Sequence, residues 1–565
     1  MAGERTDERR GESGRGGAGE DGRAHGHGAF AEWIEEQFKP SVSAMRASRM
    51  PLVWLLALIT GVAGAYAILL FRMGIGLVQR LWLGSSAENI VATKAHFTHP
   101  VIVFLAPVIG GLVVGALLTW FAPRRRAEAV ADVIEAEHIG RGRIGWYEGF
   151  VSAVVTIVSL GAGASAGREG PAVHIGSTIA SVLGQPFNMP LASRKLLLAA
   201  GAAAAVSASF NAPIAGVIFA HEVILGHYAL SAFVPTVLAS VTATVITRAS
   251  LGDWPAFIIP QYHIASNWEF PAFALLGLVS GLVAVAFLLS TSTADWLARK
   301  VRLPLWLRPV AGGAIIGGMA IFIPQIIGVG YEATNLALKG RYGLEMLLLL
   351  LAAKIAATAV TLASRFGGGV FSPSLFLGVM TGGAFGLAAA HFMPQLASEQ
   401  GVYSLVGMGA VAGAILGAPL STALIVFELT GDYHMTIALL LATSISSVVM
   451  QTLIGRSFFH WQLATRGLDL NEGPHRAIMR TLKVGDFMIP REKGTSTKVP
   501  EEFADRPLLR KDDTLRKALR AFGKGSYTRL AVVDRGGRLM GWADHGRAME
   551  AFNDKLIEIS VEEHK

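Results

Sequence analysis

From residue 51 onward the chain alternates long apolar runs with short polar joints. The runs fall near 51–71, 101–121, 147–160, 195–208, 211–225, 229–248, 268–290, 309–328, 345–363, 374–390, 403–416, 418–430 and 434–454. Those of about 20 residues predict membrane-crossing helices. Others of about 12–16 residues, interrupted by Gly and Pro, predict helices that break or turn back within the membrane. Irregular backbone at that depth is tolerated only inside protein or around a water-filled cavity. Residues 1–32 are charged and Gly-rich, which predicts a disordered tail without the apolar core of a cleavable signal. Residues 30–47 read as an amphipathic helix on the membrane surface. Past residue 465 the pattern turns soluble, and 511–552 read helix, strand, tight turn, strand, helix.

The runs also repeat. GREGPAVHIG (167–176) aligns with GVFSPSLFLG (369–378), matching Gly167 with Gly369, Pro171 with Pro373 and Gly176 with Gly378. FNAPIAGVIFAHE (210–222) aligns with LGAPLSTALIVFE (416–428), matching Ala212 with Ala418, Pro213 with Pro419 and Glu222 with Glu428; upstream, Gly201 matches Gly407. Paired, interrupted helices in two halves of a chain point to a transport site at the interface of the halves. Composition agrees: 52% of the 565 residues are hydrophobic and only 16% charged, where a soluble domain carries about 25%. The absence of Cys excludes disulfides and thiolate chemistry. The net charge of +8 requires no nucleic acid, because basic clusters at 123–126 and 299–302 suit cytoplasmic membrane flanks. No nucleophile–base set, metal-ligand cluster or phosphate loop is present, so the sequence reads as neither an enzyme nor a cofactor protein.

Against this background the Arg168–Glu169 pair stands out, since charges at membrane depth are costly and tend to be functional. Pro171 suits the first turn of a helix. Gly167 and Gly170 leave backbone N–H groups open at that helix start, where the positive end of the helix dipole attracts anions. Gly369, Val370 and Phe371 repeat the device in the second half. Two such ends meeting in the membrane bind an anion without a fixed cation that would hold it too tightly for flux. Glu169 is placed to occupy the anion's own position, and its protonation would release it.

These motifs, with GAAAAVSASFNAPIAGVIFAHE, GGGVFSPSLFLG and FELTGDY, resemble the CLC family of chloride channels and chloride/proton exchangers over roughly residues 50–465. The resemblance implies an all-α polytopic membrane fold built as an inverted repeat (about 50–250 and 268–465 within a membrane domain 33–465). It also implies a homodimer with one pore per subunit in a bacterial inner membrane, both termini cytoplasmic. Its anion would be held near Gly167, Arg168, Glu169 and Gly170 and near Gly369, Val370 and Phe371, with Glu169 as the gate. Residues 466–565 resemble a cytoplasmic CBS domain, with one complete copy at 503–560 and VGDFMIP (484–490) as the opening of a truncated first copy. A ribose-holding Ser/Thr-x-x-Asp is replaced by ADHG (543–546), which argues against nucleotide binding and for a role in dimer contact or stability.

The chain departs from the family pattern at three places. The loop that usually reads Gly-Ser-Gly-Ile-Pro is Ala127, Glu128, Ala129, Val130 and Ala131, which predicts a longer following helix carrying Glu128 on its surface. The anion-coordinating Tyr is matched by Phe459, which keeps the ring without the hydroxyl donor. The inner glutamate of the exchangers is matched by Val223; Glu222 lies about 100° around the helix, and His221 beside it could relay protons in its place. These differences favour passive, channel-like chloride conduction gated by Glu169. The alternatives are a chloride/proton antiporter with a rearranged proton path, and a regulatory or sensing membrane protein that does not conduct.

Overall fold

The computed structural model describes residues 49–564 except 141, 253–256, 258–261, 265, 396, 469–477, 480, 493–495 and 504. The tail 1–32 and the surface helix 30–47 lie outside the described residues. Val53–Lys565 form one compact unit.

Every apolar run is a helix. In chain order the helices that matter here are α1 (Met50–Leu83), α2 (Pro100–Trp120), α3 (Val130–His138), α4 (Trp146–Gly161), α5 (Glu169–Gly184), α6 (Leu191–Phe210), α7 (Pro213–Phe219) and α8 (Leu230–Leu251). The second half supplies α9 (Phe270–Lys300), α10 (Arg308–Phe322), α11 (Tyr331–Leu338), α12 (Leu344–Ala363), α13 (Phe371–Phe392), α14 (Gln400–Leu416), α15 (Pro419–Thr430), α16 (Tyr433–Ile454) and α17 (Phe458–Thr465). Among the described residues nine helices are long and apolar enough to cross a membrane. Four more are apolar but shorter: α4, α7 with its extension to Leu225, α14 and α15.

The repeat in the sequence is a repeat in the packing. A Cβ on Gly176 of α5 would collide with the carbonyl of Gly201 on α6, and one on Gly378 of α13 with that of Gly407 on α14. The same glycine pair therefore permits the same close helix crossing in each half. The two halves meet where Gly167 and Gly369 exchange backbone hydrogen bonds of 2.7 Å in both directions. This is a two-residue antiparallel bridge between the segments that lead into α5 and α13.

Glu222 and Glu428 are also related across the halves. Glu428, at the end of α15, accepts the N–H groups of Ile214 and Ala215 at the start of α7, at 2.9 and 2.7 Å. Glu222, in a π-helical stretch (Ala220–Leu225) that follows α7, accepts those of Leu420 and Ser421 at the start of α15, at 3.0 and 2.8 Å. Each carboxylate satisfies the orphan donors of the opposite helix.

The C-terminal region is a small α/β domain with a four-stranded sheet ordered β1-β4-β3-β2. Its strands are β1 (Ile489–Pro490), β2 (Leu509–Arg510), β3 (Arg529–Val533) and β4 (Leu539–Asp544), with α18 (Leu515–Gly523) and α19 (His545–His564) beside them. VGDFMIP does not stand apart as a separate copy. Its β1 pairs antiparallel with β4, and Val484 and Phe487 sit in the same apolar core as Leu515, Leu530 and Val532.

Candidate functional site

Glu169 opens α5 and is fully buried. Its Oε1 accepts a 3.0 Å hydrogen bond from the Tyr331 hydroxyl and lies 3.7 Å from Arg168 Nε, while Oε2 has no hydrogen-bond partner. The residues on either side of it line different cavities. Arg168 lines an open cavity of about 760 Å³, together with Arg72, Arg80, Glu88, Phe210 and Tyr331. Gly170 lines a narrow cavity of about 10 Å³, together with Ala129, Val130, Val370, Phe371 and Phe459. That space is about the minimum for one water. Glu169 is the chain link between a residue of the one and a residue of the other. An aromatic contact is a second link, because Phe210 of the wide cavity and Phe371 of the narrow one lie 4.9 Å apart, centroid to centroid.

Arg168 does not offer its charge to the narrow cavity. Its guanidinium pairs with Glu88 and lies 5.0 Å from the Tyr331 ring centroid, while Arg72 reaches the same carboxylate at 3.7 Å. Burial alone would raise the Glu88 pKa, but Arg168 and Arg72 outweigh it and hold the carboxyl below its usual range. Gly167 and Gly369 are likewise not free donors, since each N–H is committed to the other's carbonyl. The open donors are the first N–H groups of α5 and α13, at Glu169, Gly170, Phe371 and Ser372, which have no acceptor one turn earlier. Val370 and Phe371, expected as anion contacts, do line the narrow cavity, and so does Phe459.

The altered loop differs from the sequence expectation. α3 begins only at Val130, and Ala129 is extended with φ −149°. Asp132 stops the helix from growing backward by accepting the Ala129 N–H at 3.0 Å. Glu128 is buried rather than on a surface, and its N–H donates to Ser152 Oγ at 3.1 Å. Its carboxylate lies 3.0 Å from His174 Nε2 and 3.4 Å from Arg124 Nε. Ala127 and Ala131 play no part in the cavity: Ala127 packs on an apolar cluster around Val114 and Val155, and Ala131 is fully buried. Asp132, close by, has its pKa held below the usual carboxylate range, because Arg466 and Arg126 outweigh the upward pull of burial.

The expected relay residues are occupied structurally. Glu222 is the helix cap described above. His221 is buried, with Nδ1 at 3.3 Å from the His227 carbonyl, Nε2 at 3.5 Å from Thr236 Oγ1 and its ring stacked on Tyr228. Val223 is buried. Four functional candidates escaped sequence reasoning: Tyr331, Phe210, His174 and Lys354. Lys354 is fully buried and donates to the carbonyls of Ile326 and Gly328 at 3.1 and 2.8 Å, fixing the segment that leads to Tyr331. A lone Lys inside an apolar run was a signal available in advance. The other three depend on long-range pairings.

The voltage-gated chloride channel family matches residues 110–451. The chain belongs to the CLC family. It is similar to a ClcB-like chloride channel protein of Ralstonia nicotianae, 34% identical over 389 residues that cover 68% of this chain and 90% of that one. It is also similar to an H(+)/Cl(−) exchange transporter, ClcA, of Vibrio cholerae, 30% identical over 425 residues, covering 73% and 88%. A solved slow cyanobacterial Cl⁻/H⁺ antiporter shares the fold with a TM-score of 0.63 at 24% identity, covering 74% of this chain and 98% of that one. The protein is thus a multi-pass membrane protein of CLC fold whose family function is anion transport. CLC relatives with channel names and with exchanger names are both among those it resembles.

Proposed function

We propose that the protein passes chloride, or a related anion, from the wide cavity past Glu169 to the narrow cavity, with the Glu169 carboxylate as gate. The supporting observation is the place of Glu169: fully buried, with chain neighbours that line two different cavities, and with one oxygen unpartnered. A carboxylate there excludes an anion by charge and by volume. Protonation, or rotation away from Tyr331, leaves the N–H groups of Gly170 and Phe371 for the anion. The wide cavity would face outward and the α3 side the cytoplasm, in keeping with the basic clusters at 123–126 and 299–302. Homodimerisation and a CBS-type identity for the C-terminal domain belong to the same proposal.

Passive conduction is the leading reading. Val223 is a buried apolar side chain, and Glu222 is committed to capping α15, so neither supplies an inner proton acceptor. Proton-coupled exchange is the second reading, favoured by the buried Glu128–His174 pair. Reconstitution into vesicles with a chloride gradient decides between them. Passive conduction predicts chloride movement with no uphill proton movement; chloride-driven proton uptake would replace it with exchange. No chloride movement at all would leave the regulatory, non-conducting reading.

A further inference from the structure

We infer that Lys354 is a positioning residue for the gate: it holds the turn before α11 in the shape that brings the Tyr331 hydroxyl onto Glu169. The inference rests on the gating role of Glu169 proposed above and deepens it. A lysine side chain inside a membrane-spanning helix is costly to bury and is retained where the protein uses it. Lys354 sits in the middle of α12, fully buried, with no acid within ion-pair distance among the described residues. It lines neither of the two cavities. Its use must therefore lie in what its Nζ holds.

Both partners belong to one turn. Nζ donates to the carbonyls of Ile326 and Gly328, at 3.1 and 2.8 Å. A buried carbonyl outside a helix or strand needs such a partner. The turn has little to hold it from within, because Gly328 and Gly330 take φ values of +60° and +92°, a region open to glycine and closed to most side chains. What fixes it comes from α12 and α13. Ile326 packs on Ala353 and Ala357 of α12, on either side of Lys354 in the chain. A Cβ on Gly330 would meet the Phe376 ring at 2.8 Å and Lys354 Nζ at 3.5 Å. Nζ itself lies 5.2 Å from the Phe376 ring centroid. One side chain thus touches the turn at residues 326 and 328 and backs it at 330.

Tyr331 is the next residue and the first of α11. Its hydroxyl gives the one hydrogen bond that the Glu169 carboxylate receives among the described residues, at 3.0 Å. A shift of the turn by about 1 Å would carry that hydroxyl out of hydrogen-bond range. The order of dependence is then plain: Lys354 sets the turn, the turn sets Tyr331, and Tyr331 restrains the gate.

The test is a double-mutant cycle read as chloride efflux from vesicles holding the full-length protein. Lys354→Met removes the donor and keeps most of the bulk; Tyr331→Phe removes the hydroxyl. Each alone should raise efflux about tenfold, the effect of losing one hydrogen bond to a charged group. The double variant should match Tyr331→Phe alone within about twofold, because both changes release the same bond. Lys354→Arg, which keeps donors for both carbonyls, should stay near the native rate. Gly330→Ala presses the same turn from the Phe376 side and should also raise efflux, again only while Tyr331 is present; it carries the test if Lys354→Met is not monodisperse in detergent. A lysine needed for stability alone would lower the melting temperature without this dependence on Tyr331. Effects of Lys354→Met or Gly330→Ala that multiply with that of Tyr331→Phe would overturn the inference, and a fast Glu169→Gln would leave the gate standing. Glu169→Gln no faster than the native protein would instead overturn the gate and the inference with it.

Discussion

Glu428→Gln is the most informative single change to the scaffold. The native carboxylate accepts two backbone N–H groups at the start of α7, at 2.9 and 2.7 Å. Glutamine keeps one acceptor oxygen and turns an amide donor toward the second N–H, so one charge-assisted bond is lost and one donor is left unpaired. Bonds to charged groups contribute about 1.5–3 kcal/mol each and an orphaned donor costs about 1–3 kcal/mol. Ile214 is 52% exposed, so water relieves part of the penalty, and a net loss of about 2–4 kcal/mol is expected. For a unit of 150–250 residues, the size of one repeat, that lowers the melting temperature by roughly 4–16 °C. Glu222→Gln should cost at least as much, because its carboxylate also accepts from the Ser421 hydroxyl. Thermal unfolding in detergent reads both variants. If both melt within a degree of the native protein while Glu222→Gln alone abolishes proton movement, the capping argument is wrong and Glu222 is a relay after all.

Four further variants test other contacts. Tyr331→Phe removes the one hydrogen bond to the gate carboxylate at 3.0 Å, and chloride efflux should rise about tenfold for a loss of about 1.5 kcal/mol; unchanged efflux would mean that Tyr331 does not restrain Glu169. Gly378→Ala forces a methyl against the Gly407 carbonyl and should cost about 1–3 kcal/mol or more. Gly318→Ala, with nothing within 4 Å of its Cβ, should leave the melting temperature unchanged or higher. His138 on α3, outside the apolar spans, has its pKa raised: burial opposes the charge, but Glu137 at 2.5 Å outweighs it. A raised folded value stabilises below the unfolded value of about 6.5 and is lost as pH climbs through the folded one. The melting difference between native protein and His138→Gln should therefore be largest near about pH 6 and shrink toward alkaline pH.

The helices were legible because a bilayer imposes length and polarity, and every apolar run became a helix. The repeat was legible too, down to Gly176, Gly201, Gly378 and Gly407, since close helix crossings leave no room for a side chain. Glu222 and Glu428 matched in the sequence, yet their exchange of caps was not readable, because it needs α7 and α15 side by side. Glu128 was misplaced for a related reason. Alanine propensity argued for helix, whereas the Asp132 cap and the His174 and Arg124 contacts decided its conformation and burial. Gly167 and Gly369 were read as anion donors from their local pattern, and only the meeting of the halves shows them bound to each other. VGDFMIP was read as the opening of a truncated first copy because β1 finds its partner strand some 50 residues further along the chain.

The central claim is that the Glu169 carboxylate closes the path between the two cavities. Chloride efflux from vesicles carrying the native protein and Glu169→Gln, compared as external pH is varied, tests it most directly. A gating carboxylate predicts that Glu169→Gln passes chloride faster than the native protein at every pH tested. Native and variant proteins with the same efflux and the same pH profile would contradict it.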